Sequence, residues 1–114
     1  MCNTNTLQKV LGIVTDKMKD LFAENLNSII LFGSYARGDY DDESDIDVFV
    51  MVDMDDESLR QYRREVLSFI FELDLEYGIV LTIKLQDKPT FDKWEHTLPF
   101  FMNVKREGVT LYAA

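Results

Sequence analysis

An apolar run, Ser28-Ile29-Ile30-Leu31-Phe32, stops at Gly33, and a second strand-like run over residues 45–52 opens with Asp45 and Asp47, one residue apart. A short continuous apolar run bounded by a glycine is the pattern of a buried strand. In a strand, residues i and i+2 project from one face with Cα atoms about 6.6 Å apart, so the two aspartates put like charges on one side of the sheet. Further along, Val48, Val50 and Val52 alternate with Phe49 and Met51, and both faces become apolar. Such a chain must bury a sheet. It must also offset two carboxylates at the start of a buried strand, because buried charge is costly unless it is paired or bound to a cation.

The remaining pattern supplies the layers that cover this sheet. Leu7, Val10, Leu11, Val14, Met18, Leu21 and Phe22 recur at three- and four-residue steps, which predicts an amphipathic helix over about 5–24 with Thr4 or Thr6 as its cap. Residues 53–57 read as an acidic turn. Leu59, Tyr62, Arg63, Val66, Phe69, Ile70 and Leu73 then form a second helical stripe ending near Leu75, closed by Gly78. Ile79 to Leu85 alternates as a third strand interrupted at Lys88-Pro89. A helical turn over 91–94, a helix from Pro99 to about Arg106 and a brief strand over 109–112 complete the order α, β, β, α, β, α, β. The fold class is α/β (α+β): a small mixed sheet of about four strands flanked by helices.

At 114 residues the chain has the length of a single domain, 1–114. Its formal charge of −9, from 21 acidic and 12 basic side chains, argues against direct nucleic-acid binding through phosphate neutralisation. A nucleotide carried with its metal, or a basic protein, suits it better. Cys2 is the lone cysteine, so no internal disulfide is required. With neither a signal-like segment nor a run of about 18 apolar residues, the expectation is a cytoplasmic protein with no membrane partner.

Gly33-Ser34 after a buried strand permits a positive φ and close approach of backbone to a phosphate, and the serine hydroxyl can add a hydrogen bond. Taken alone it is a common turn. Asp45 and Asp47 carry more, because magnesium is the hard cation that one or two carboxylates share with substrate phosphates. The bland alternative is that both lie on an exposed strand start, continuous with Asp39, Asp41, Asp42 and Glu43.

Together, Gly33-Ser34-Tyr35-Ala36-Arg37-Gly38 and Ser44-Asp45-Ile46-Asp47 resemble the signature of the minimal nucleotidyltransferases of the DNA polymerase beta-like superfamily: Gly-Ser, Ala-Arg-Gly, then Ser-Asp-x-Asp. The resemblance implies the polymerase beta-like fold, Mg2+ as cofactor and ATP as substrate. It makes Asp45 and Asp47 the catalytic metal ligands, and Gly33 and Ser34 the triphosphate site. Arg37 meets phosphate or pairs with Asp39, Asp41 or Asp45. Ser44 belongs to the same nucleotide-binding group and, by position, caps or orients the strand entry. Similar bacterial chains are antitoxins paired with an all-helical HEPN toxin, which they neutralise by adenylylating a tyrosine. A protein acceptor of AMP and a HEPN-family partner are therefore implied, with self-association left open.

One feature departs from that family. Active members generally bring a third carboxylate from a neighbouring strand, and residues 79–85 contain no acid. Asp74, Glu76 and Asp87 flank the strand and are the candidates to fill the place. A two-carboxylate enzyme and a nucleotide-binding antitoxin without turnover are the alternatives. His96, between Glu95 and Thr97, reads as a surface residue and not a general base, and Phe91, Trp94, Phe100, Phe101 and Tyr112 as core or partner surface.

Overall fold

The computed structural model describes residues 3–41 and 43–114; Cys2 and Asp42 lie outside them. Helix α1 (Thr4–Phe22) buries Val10, Val14, Met18 and Phe22 on one face, as its periodicity requires. Each such side chain contributes about 1.5–3 kcal/mol by leaving water. Asn3, not Thr4 or Thr6, caps α1: its side-chain carbonyl accepts from the Thr6 amide at 2.9 Å. A 3₁₀ turn, Ala23–Asn25, leads into β1 (Leu26–Phe32).

Helix α2 (Ser34–Arg37) and β2 (Ile46–Val52) follow, then α3 (Asp56–Arg60), α4 (Arg63–Tyr77), β3 (Leu81–Asp87), α5 (Lys88–Trp94), α6 (Pro99–Glu107) and β4 (Val109–Ala113). The sheet order is β3-β2-β1-β4. β1 runs antiparallel to both β2 and β4, and β2 runs parallel to β3, so the sheet is mixed as expected.

Three local expectations change. The acidic turn at 53–57 is the entry to α3, where the Asp55 carboxylate accepts from the Ser58 amide at 2.7 Å. Residues 34–37 are helical, one turn held between two glycines. The third strand lies two residues later than its alternation suggests, because the Asp74 carboxylate accepts from the Leu81 amide at 3.0 Å and Ile79 and Val80 remain outside the strand. Gly78 does close α4, with φ 64°.

The two sheet faces are unlike. Ile29, Leu31, Ile46, Val48, Val50, Val52 and Leu81 face α1 and α4 in the larger core. Phe49 and Met51 face Phe91 of α5 and Phe101 and Val104 of α6, with Ile30 and Phe32 packed beside them. Residue alternation puts Asp47 on this second face, where it is partly buried. Among the described residues no helix is long and apolar enough to cross a membrane.

Candidate active site

Gly33 ends β1 and begins α2 with φ 76° and ψ −157°, a backbone state that a side chain resists. Its carbonyl accepts from the amides of Ala36 and Arg37, both at 3.1 Å, and the Gly38 amide returns to the Ser34 carbonyl at 2.9 Å. Glycine at both ends lets the chain make a single turn and reverse toward β2. Tyr35 anchors that turn in the larger core and stacks on Tyr40 with ring centroids 4.4 Å apart.

The loop into β2 is tied by its own polar side chains. Ser44 Oγ accepts from the Asp41 amide at 2.9 Å and donates to Asp41 Oδ1 at 3.2 Å, while that carboxylate also accepts from the Glu43 amide at 2.9 Å. Ser44 thus orients the entry to the strand. Arg37 pairs with Asp39 at 3.1 Å, one of the partners its position offers, and also with Glu107 at 3.7 Å, which arrives from α6.

Asp47 stands opposite Phe32 in the β1–β2 register and opposite Thr82 in the β2–β3 register. It is partly buried and Asp45 is exposed. Burial first, and then the charge of Asp45, raise the Asp47 carboxyl above the ordinary aspartate range, partly offset by Arg37. The two aspartates are therefore close enough for the charge of Asp45 to act on Asp47, and Arg37 offsets only part of what burial and Asp45 impose. Relief by a hard divalent cation fits this oxygen donor set. Among the described residues no group of three or more His, Cys, Asp or Glu side chains is placed to hold a metal.

None of the flanking acids completes the site. Asp87 is buried at the far end of β3, opposite Val52, and caps α5 by accepting from the Thr90 amide at 2.9 Å. Asp74 is committed to Leu81 on α4, in the layer opposite Asp47, and Glu76 lies on that same helix. On β3, the residues sharing the Asp47 face are Thr82, Lys84 and Gln86. His96 is exposed and paired with Glu95 at 2.9 Å, beside Met102, Lys105 and Arg106 and not among the residues around the glycine turn.

Helix α6 supplies a wall that the strand pattern alone does not reveal. Phe100, Asn103 and Glu107 join Phe32, Gly33 and Arg37 around a cavity of about 210 Å3 beside the glycine turn. Their spacing of three and four residues, on one side of a helix, is the sequence signal. Phe100 meets Phe32 edge-on, with centroids 5.4 Å apart.

A mixed four-stranded sheet carrying Gly-Ser at the end of one strand and Asp-x-Asp at the start of its neighbour is the frame of a nucleotidyltransferase domain. Residues 11–100 match the nucleotidyltransferase-domain family, and the chain belongs to it. It is 34% identical over 105 residues to a Methanocaldococcus jannaschii protein named as a candidate protein adenylyltransferase, covering 92% of this chain and 97% of that one. A mutant form of the toxin–antitoxin complex MntA-HpeT aligns with TM-score 0.51 at 18% identity, over 90% of this chain and 73% of the other. A toxin–antitoxin structure with AMP-PNP aligns with TM-score 0.50 at 20% identity, over 88% and 71%. At these identities the likeness to the two solved structures is one of fold.

Proposed function

We propose that this chain transfers AMP from ATP, with Mg2+, to a hydroxyl of a partner protein, as the antitoxin of a HEPN-type toxin. The observation that carries the reading is Asp47 set against Gly33, with its carboxyl raised above the ordinary range by burial and by the neighbouring Asp45. The relative named for protein adenylylation and the toxin–antitoxin neighbour with AMP-PNP support it.

Asp45 and Asp47 would hold Mg2+. When bound, the ion neutralises phosphate charge and polarises the α-phosphate. Gly33 lets the β1–α2 turn approach the triphosphate without a Cβ, and Ser34 offers its hydroxyl to a phosphate oxygen. Arg37 exchanges Asp39 and Glu107 for phosphate, which its planar fork suits. Asp47, half-shielded from water, fixes the position of the charge against which the phosphates align.

Incubation with α-labelled ATP, Mg2+ and the protein encoded by the adjacent gene should label that protein on a hydroxyl residue, and Asp45→Asn or Asp47→Asn should abolish labelling with the fold intact. Absence of label in the wild type, under conditions where the partner is bound, would sink this reading.

The lack of an acid on the Asp47 face of β3 favours one other reading, an antitoxin that binds nucleotide and blocks its toxin by contact alone. It requires the Asp45→Asn, Asp47→Asn double variant to protect cells as well as the wild type does.

A further inference from the structure

On β3, the strand from which a third carboxylate would come, the face shared with Asp47 carries a cation, Lys84. β3 runs parallel to β2, with Thr82 opposite Asp47 and Lys84 opposite Phe49, so all four side chains belong to one sheet face. Strands lie about 4.8 Å apart and successive same-face residues about 6.6 Å, within the reach of an extended lysine side chain. Lys84 Nζ lies 5.7 Å from the ring centroid of Phe100. Phe100 in turn packs on Phe32, the residue before Gly33. Lys84 is therefore on the sheet face of Asp47, one same-face step further along the neighbouring strand, with its ammonium against the aromatic group that packs beside Gly33. In a chain with 21 acidic side chains, it has no ion pair among the described residues. The acids that could have taken the place are engaged elsewhere or sit in the opposite layer.

We propose that Lys84 binds the non-bridging oxygens of the α-phosphate, supplying from the protein the positive charge that a third carboxylate would bring in by recruiting a second cation. This rests on the nucleotidyl-transfer reading above. In the step, the acceptor oxygen bonds to the α-phosphorus, and the bond from that phosphorus to the α–β bridging oxygen breaks. Its electron pair leaves with pyrophosphate, and the acceptor's proton passes to water. Lys84 remains an ammonium throughout: it stabilises the charge developing on the α-phosphate oxygens and takes no proton. A lysine suits this as a compact point charge with three donors.

The test uses α,β-methylene-ATP, in which the scissile bridge cannot break, with Mg2+ and the full chain. Lys84→Met should weaken its binding about tenfold by calorimetry and Lys84→Arg less than about threefold. The α-phosphorus NMR resonance of the complex should differ between wild type and Lys84→Met while the γ resonance stays in place. Transfer to the partner should fall about 100-fold or more in Lys84→Met and recover in large part in Lys84→Arg. Unchanged binding and an unchanged α resonance in Lys84→Met would overturn the proposal, as would a rise confined to the KM for the acceptor. The Asp45→Asn, Asp47→Asn variant separates this from the underlying reading. If wild type binds no better than that variant, the nucleotide site itself falls and Lys84 with it. If wild type binds better and Lys84→Met equals wild type, the Lys84 assignment alone is lost.

Discussion

A Cβ placed on Gly33 would stand 2.5 Å from Asp47 Oδ2 and 3.3 Å from its Cγ, so the backbone of the β1–α2 turn and the partly buried carboxylate occupy touching volumes. No real Cβ tolerates the shorter distance, and the positive φ of 76° adds strain for any other residue. The turn and the strand that carries Asp47 are thus set against each other by the absence of one carbon.

Gly33→Ala should therefore act twice. Strain and displacement of Asp47 together should cost about 1–3 kcal/mol of stability, read by urea or thermal unfolding. Binding of Mg2+ with α,β-methylene-ATP should fall further than stability explains, because the carboxylate must rotate away from its site. Gly38→Ala is the control. Gly38 also has a positive φ, 84°, but open space where its Cβ would go, so strain should appear without the loss of binding.

Asp47 gives a pH dependence of known sign. Its folded carboxyl holds a proton more tightly than in the unfolded chain, through burial first and Asp45 second. The folded state therefore binds more protons between the ordinary aspartate range and the raised folded value, and stability falls as pH rises through that window. Asp47→Asn should flatten this slope and raise the Tm at pH 7. Asp45→Asn should reduce the slope by removing the second cause. Added Mg2+ should raise the Tm at pH 7 in wild type and fail to do so in Asp47→Asn. Equal pH profiles in the three proteins would contradict the assignment.

Arg37 is held by exposed ion pairs to Asp39 and Glu107, and such pairs contribute only about 0–1 kcal/mol. Arg37→Ala should leave unfolding nearly unchanged while weakening nucleotide binding about tenfold. Glu107→Gln removes a competitor for the guanidinium without altering its reach, so nucleotide affinity should rise about two- to fivefold. Calorimetry on the two variants distinguishes a phosphate-binding arginine from one that only braces α6 against the loop.

Much of this arrangement is legible from residue order. The run that stops at Phe32, the alternation that starts at Asp45 and the stripe from Val10 to Phe22 are set by periodicity, and they lie where periodicity puts them. The Asp45–Asp47 pair is legible for the same reason. The one-turn helix after Gly33 is not, since it depends on two glycines closing a turn too short to show a period. Nor is the position of β3, because alternation over 79–85 continues equally well to Asp87 and only the Asp74–Leu81 hydrogen bond and pairing with β2 choose the register. Phe100, Asn103 and Glu107 reach the site from a helix about 60 residues away. Their spacing marks one face of α6 without saying what that face meets.

The displacement of β3 bears directly on the missing third acid, and Asp87 is where it can be checked. A strand two residues later brings Asp87 into the sheet, but opposite Val52 and five residues from the level of Asp47, about 16–17 Å along the strand. There its buried carboxylate accepts from the Thr90 amide and from Gln86 Nε2 at 3.2 Å, closing the first turn of α5. Asp87→Ala removes a helix cap and leaves a buried amide side chain short of an acceptor, which should cost about 1–3 kcal/mol. Asp87→Asn keeps an acceptor for the cap and should cost less. If Asp87 served the chemistry, Asp87→Asn would abolish transfer while sparing stability. The geometry requires the reverse order: measured well below their melting temperatures, both variants should retain nucleotide binding and transfer within about threefold of wild type, and unfolding should be the property that separates them.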